Sequence, residues 1–172
     1  MCKGDNYPST YTASKTANMS TKSPQRQTAD RLITAFNSMD IDTIVSLRTE
    51  TATRHIIPST LGHAPQNNSQ YKAHLDRLKP IFSNFNLSVQ DTLEDREAGR
   101  ICMWLTARAD TLAGEYVNEY MWTLEFDGSG EKVAKSTEFV DTVMNRDFWP
   151  RLQAAMKKQR EEQQGGGDGS SS

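Results

Sequence analysis

FNLSVQDTLEDREAGRICMWLTARADTLAGEYVNEYMWTLEFDGSGEKVAKSTEFVDTV, residues 85–143, contains four strand-like runs. They are FNLSVQDTLED, RICMWLTARADT, GEYVNEYMWTLEF and EKVAKSTEFVDTV, with EAG, LAG and DGSG as turn signals between them. Consecutive long strands on short links predict a curved antiparallel sheet. Side chains alternate between the faces of a strand, so parity decides which of them meet. In the third run the more aromatic face carries Tyr116, Asn118, Tyr120, Trp122, Leu124 and Phe126, and it is expected to face the interior. In the second run Cys102, Trp104, Thr106, Arg108 and Asp110 share one face, and Ile101, Met103, Leu105, Ala107 and Ala109 share the other. Both sets are apolar enough to be covered. That predicts one sheet face lining a pocket and the other packed in a homodimer. In the last run Ala134, Ser136, Glu138 and Val140 fall together.

The segment before the sheet reads as helical. Thr28 is a candidate N-cap for a first helix, whose apolar stripe is Leu32, Ile33, Phe36 and Met39. DIDTIVSL gives a short second helix, and TRHIIPSTL a short strand stopped by Pro58. QYKAHLDRLKPIF follows the loop GHAPQNNS, and Tyr71, His74, Leu75 and Leu78 fall on one helical face. Pro80 ends that helix. DFWPRLQAAMKKQR reads as a C-terminal helix with its basic residues toward the favourable end. Helices grouped on one face of an antiparallel sheet make an α+β domain. Its expected extent is residues 27–162, because 1–26 and 163–172 are polar or Gly/Ser-rich and bury too little apolar surface to offset their ordering entropy.

The 172 residues suffice for one domain with a sizeable core. A formal charge of −2 and the lack of a basic stripe argue against nucleic acid. No apolar run reaches the ~18 residues of a membrane span, and the N-terminus lacks the apolar stretch of a secretory signal. Cys2 and Cys102 are read as unpaired thiols of a reducing, cytoplasmic setting. Three histidines without compact spacing predict no metal site. The absence of a glycine-rich phosphate loop argues against a nucleotide, so no cofactor is expected.

AFNSMDIDTIVSL, RHIIPSTLG and KVAKSTEFVDT resemble the nuclear-transport-factor-2-like superfamily, and within it the SnoaL-like polyketide cyclases. HIIPSTLG, QYKAHL, ADTLAGEYVNEY and EFVDT also resemble small fungal isomerases that rearrange meroterpenoids. The likeness covers about residues 27–145. It implies a cone of helices over a curved sheet. It leaves the reaction open, because this scaffold hosts isomerases, dehydratases, cyclases, epoxide hydrolases and non-catalytic binders.

Resemblance to epoxide hydrolases of this fold implies that Glu138 points into the cone. The arginine of their arginine–acid pair falls nearer Trp104 and Thr106 than Arg108, which counts against epoxide hydrolysis. A carboxylate in an aromatic cone loses hydration and becomes a better base, so Glu138 is the leading catalytic candidate. His55 and His74 are the candidate proton carriers. Arg108, with a permanent forked charge, and Asn118 and Tyr120, as hydrogen-bond donors, are expected to hold a ligand oxygen. Tyr71, Trp104 and Trp122 are expected to line the ligand site. Each has an alternative structural role: Glu138 as an ion-pair partner of Arg108, the histidines as core or rim groups, and the tryptophans as core. The expected function is cofactor-independent isomerisation, cyclisation or dehydration of a bulky apolar polyketide or terpenoid. The alternatives are a non-catalytic ligand-binding or dimerisation module and a trafficking adaptor.

Overall fold

The computed structural model describes residues 22–165. The tail readings for 1–21 and 166–172 lie outside that range. Four helices, α1 (Pro24–Asn37), α2 (Ile41–Ser46), α3 (Asn68–Leu78) and α4 (Thr142–Gly165), accompany five strands. The strands are β1 (Arg48–Ile57), β2 (Ser83–Asp95), β3 (Arg100–Thr111), β4 (Gly114–Phe126) and β5 (Val133–Val140). A single sheet has the order β1-β5-β4-β3-β2. Strands β2 to β5 pair antiparallel as expected, while β1 joins the edge parallel to β5. The whole meander separates these two strands in sequence, so no hairpin constrains their direction. Register shifts in β2 between Ser83 and Asn86 and between Val89 and Asp91 bend that edge.

α1 starts earlier than expected. Ser23 is its N-cap and accepts from the Arg26 backbone N–H at 3.0 Å, with Pro24 opening the first turn. Thr28 is buried inside the helix. β5 stops at Val140, and Asp141 Oδ1 instead accepts from the backbone N–H groups of Val143 and Met144, closing the first turn of α4. α4 then lays Phe148 and Leu152 into the core.

Ile101, Met103, Leu105, Ala107 and Ala109 are all buried and face the helices, along with Tyr116, Asn118, Trp122 and Leu124 from β4. This settles the parity of β3. Trp104 and Arg108 stand on the opposite, outer face, where Trp104 pairs across to Met121 and Met121 to Phe139. These three side chains are 45%, 45% and 48% exposed. The expectation that Trp104 and Arg108 face the cone is therefore corrected. The wholly apolar set of β3 takes the interior because it loses the most contact with water there.

Candidate functional site

A cavity of about 160 Å³ lies between the concave face of the sheet and helices α1, α3 and α4. Its wall is largely apolar, with Phe36, Leu75, Phe82 and Leu87 among its lining. Packed around Tyr116 are Phe82, Phe148 and Trp149, with ring centroids at 4.8, 5.1 and 6.3 Å. A partly open space of this size takes a small ring system. A larger molecule would seat its reacting part there and leave the remainder outside.

Polar groups converge at two places on this wall. The first is an ion pair. Arg54, on β1, donates from Nε to Glu138 Oε1 at 2.7 Å and from Nη2 to Oε2 at 2.5 Å. The pairing is forked, and the two residues are only 8% and 3% exposed. Gln66 completes the guanidinium, accepting from Nη1 at 2.9 Å, while backbone bonds of 2.8 and 2.9 Å hold Gln66 against Arg54. Below the pair, Tyr71 presents its ring to two arginines, with Arg54 4.7 Å and Arg48 5.0 Å from the centroid. Arg48 donates to Asn68 at 2.8 Å and to Ser136 at 3.1 Å. Burial opposes the charge on Arg54, but Glu138 outweighs it and holds the guanidinium pKa above its ordinary value. Burial raises the Tyr71 phenol above its usual range and lowers the Arg48 guanidinium.

The second place is a chain of three side chains along β4. Asn118 Nδ2 donates to Tyr116 Oη at 2.9 Å, and the Tyr116 and Tyr120 hydroxyls meet at 2.6 Å. Burial raises both phenols, so both keep their protons at neutral pH. Asn118 Oδ1 and Trp122 Nε1 are buried without any hydrogen-bond partner.

His74 lines the same cavity. Burial and then the Arg54 charge push its imidazole down to about 4, so it is neutral at physiological pH.

The structure therefore brings together Glu138, His74, Asn118, Tyr120, Tyr71 and Trp122. It leaves His55, Arg108 and Trp104 outside the cavity. Arg54 faces inward, so its neighbour His55 points outward, where Nε2 lies 3.2 Å from Thr53 Oγ1. Arg108 pairs with Glu115 at 2.8 Å in solvent, so it is not the partner of Glu138. Arg54 and Tyr116 were not singled out in the sequence, although both lie in segments read as strands. Tyr116 shares the parity of Asn118 and was available to the same argument. Arg54 was not, because its meeting with Glu138 depends on the long-range pairing of β1 with β5.

A concave sheet roofed by helices, with a few polar groups converging in an apolar pocket, has the usual form of a small-molecule site on a cone-shaped α+β scaffold. No protein-family model matches the chain. Austinoid biosynthesis cluster protein H of Aspergillus calidoustus is 32% identical over 126 residues, 71% of this chain and 85% of that one. The crystal structure of BvnE pinacolase from Penicillium brevicompactum is 31% identical, with a TM-score of 0.74 over 77% of this chain and 96% of that one. A SnoaL-like polyketide cyclase structure from Shewanella denitrificans shares the fold at 14% identity, with a TM-score of 0.62 over 76% and 97%. The chain belongs to the family of the fungal austinoid-cluster protein H and BvnE pinacolase, and it has the fold of the SnoaL-like polyketide cyclases.

Proposed function

We propose that the protein is a cofactor-independent acid/base enzyme of fungal secondary metabolism, acting on a bulky apolar polyketide or terpenoid. The observation that carries this reading is the buried Arg54–Glu138 pair opening onto an apolar cavity beside the Tyr116–Tyr120–Asn118 chain. Each carboxylate oxygen receives one bond from Arg54, which leaves lone pairs for a substrate proton. Glu138 removes a proton beside a substrate carbonyl, and the electron pair moves onto the carbonyl oxygen. Proton uptake neutralises the carboxylate at the moment the substrate becomes an anion. The enolate then takes over from the carboxylate as counter-ion to Arg54, so the buried charge balance is kept. With Asn118 donating to Tyr116, the Tyr116 oxygen accepts a second bond from Tyr120 and turns its own proton toward the enolate oxygen. Return of the proton to a different atom gives isomerisation, and its delivery from the Glu138 carboxyl to a neighbouring hydroxyl, which leaves as water, gives dehydration. Neutral His74 serves as the second proton carrier. The relationship to a pinacolase and to an austinoid-cluster protein supports the substrate class.

The test starts from the producing fungus. Deletion of the gene should cause one intermediate to accumulate in culture extracts, and purified protein should convert it without added cofactor. Glu138→Gln should lower that conversion by about 100-fold or more. Unchanged turnover removes Glu138 from the mechanism. Failure of the deletion to alter any metabolite removes the enzymatic reading. The protein is further proposed to act as a homodimer in the cytoplasm, joined through the outer sheet face that carries Trp104, Met121 and Phe139.

A further inference from the structure

Two buried polar atoms on the cavity wall are unpaired, and they are of opposite kinds. Asn118 Oδ1 is an acceptor without a donor, and Trp122 Nε1–H is a donor without an acceptor. Their residues are 2% and 5% exposed, and both line the cavity. Leaving either atom dry and unpaired is a cost that native interiors rarely tolerate without a use for the group. The two residues lie on the same face of β4 with Tyr120 between them, about 14 Å apart along the backbone at ~3.4 Å per residue. Their side chains stand off the sheet, so one small functional group does not reach both. Trp122 is registered directly opposite Glu138, whereas Asn118 touches the Tyr116 hydroxyl. Each unpaired atom thus flanks a different half of the proposed acid/base machinery.

We propose that the cavity is built for a ligand carrying two separate oxygen functions. A hydroxyl donates to Asn118 Oδ1 on the tyrosine side, and a carbonyl, ester or ether oxygen accepts from Trp122 Nε1 on the glutamate side. The substrate class is therefore an oxygenated ring system with a free hydroxyl set apart from an acceptor oxygen. Bare terpene hydrocarbons and fully capped, hydroxyl-free polycycles fall outside it. This rests on reading the cavity as a ligand site, but it concerns affinity and does not depend on which reaction follows.

Four probes on one two-ring skeleton, sized to the cavity, test the proposal by calorimetric titration of the full-length protein. They are 6-hydroxy-1-tetralone, 1-tetralone, 5,6,7,8-tetrahydro-2-naphthol and tetralin. The hydroxyketone should bind tightest, and removal of either oxygen should weaken binding about tenfold. In Trp122→Phe the advantage of the ketone should vanish while that of the hydroxyl persists. In Asn118→Leu the reverse should hold. The wild-type series decides the matter even if a variant does not fold. Equal affinity for tetralin and the hydroxyketone overturns the proposal, as does a preference carried by one oxygen alone. So does a failure of all four to bind up to their solubility limits. Loss of turnover in Glu138→Gln with the probe preferences intact would separate this inference from the catalytic reading.

Discussion

Arg54 and Glu138 illustrate how costly a buried charge is when it stands alone. Each is nearly free of solvent, and each is tolerated because the other supplies a forked partner. Arg54→Met should therefore destabilise the protein by about 3–5 kcal/mol, since it strands a buried carboxylate. The double variant Arg54→Met/Glu138→Leu should recover much of that loss. Urea denaturation of the two single variants and the double variant measures this, and additive losses would contradict the pairing. His74 makes a second prediction. Its folded pKa of about 4 lies below the ordinary 6.5, so protonation favours the unfolded chain. The stability contribution is complete above pH 6.5 and is lost as pH falls from 6.5 toward 4. His74→Asn should flatten that part of a stability–pH curve. Asp40 and Asp127 are lowered from 3.8, mainly by hydrogen bonds from Thr43 and Ser129, so their loss falls at more acidic pH. An unchanged slope between pH 6.5 and 4 in His74→Asn would refute the assignment.

At the scale of elements, the ends of helices were less legible than their middles. Ser23 and Thr28 are both acceptable N-caps by residue type. Pro24 at the first helical position distinguishes them, and it marks Ser23 as the start. The capping box at α3, Asn67 with Gln70, has reciprocal bonds of 2.9 and 3.0 Å and fixes the turn from which Tyr71 and His74 project. Asn67→Ala should lower stability by about 1 kcal/mol and raise amide hydrogen exchange in the first turn of α3. Protection equal to that of the wild type would show that packing alone holds this end. In α3 and β4, periodicity identified the inward-facing residues correctly, because each segment has one clearly more apolar face. In β3 the outer set holds Trp104 and Cys102 but also Thr106, Arg108 and Asp110, so the wholly apolar set wins the interior and takes Trp104 and Arg108 away from the cavity.

For the whole molecule, the outer face of the sheet is the feature that the single chain leaves open. Met121, between Trp104 and Phe139, forms a band across three adjacent strands, all half-exposed. A patch of this kind on a sheet face is a common basis for self-association. In sedimentation the wild type should run as a dimer at micromolar concentration. Replacing Met121 by Lys and Trp104 by Glu should yield a monomer that keeps its fold by circular dichroism. A wild-type monomer would overturn the dimer.

By itself, the amino-acid sequence determined the α+β class, the antiparallel meander of β2 to β5 and the face of β4 that looks inward. These rest on local alternation and turn chemistry, which neighbouring residues specify between them. It also marked Glu138, His74, Asn118 and Tyr120, polar groups set among apolar ones. Only the tertiary structure decided which arginine answers Glu138. Arg108 is nearer in sequence and was the natural partner on paper, but parity turned it to solvent beside Glu115. Arg54 reached Glu138 because β1 crosses the whole fold to lie parallel to β5. Strand alternation is a property of adjacent residues, whereas the pairing of distant strands depends on how the entire chain closes its core.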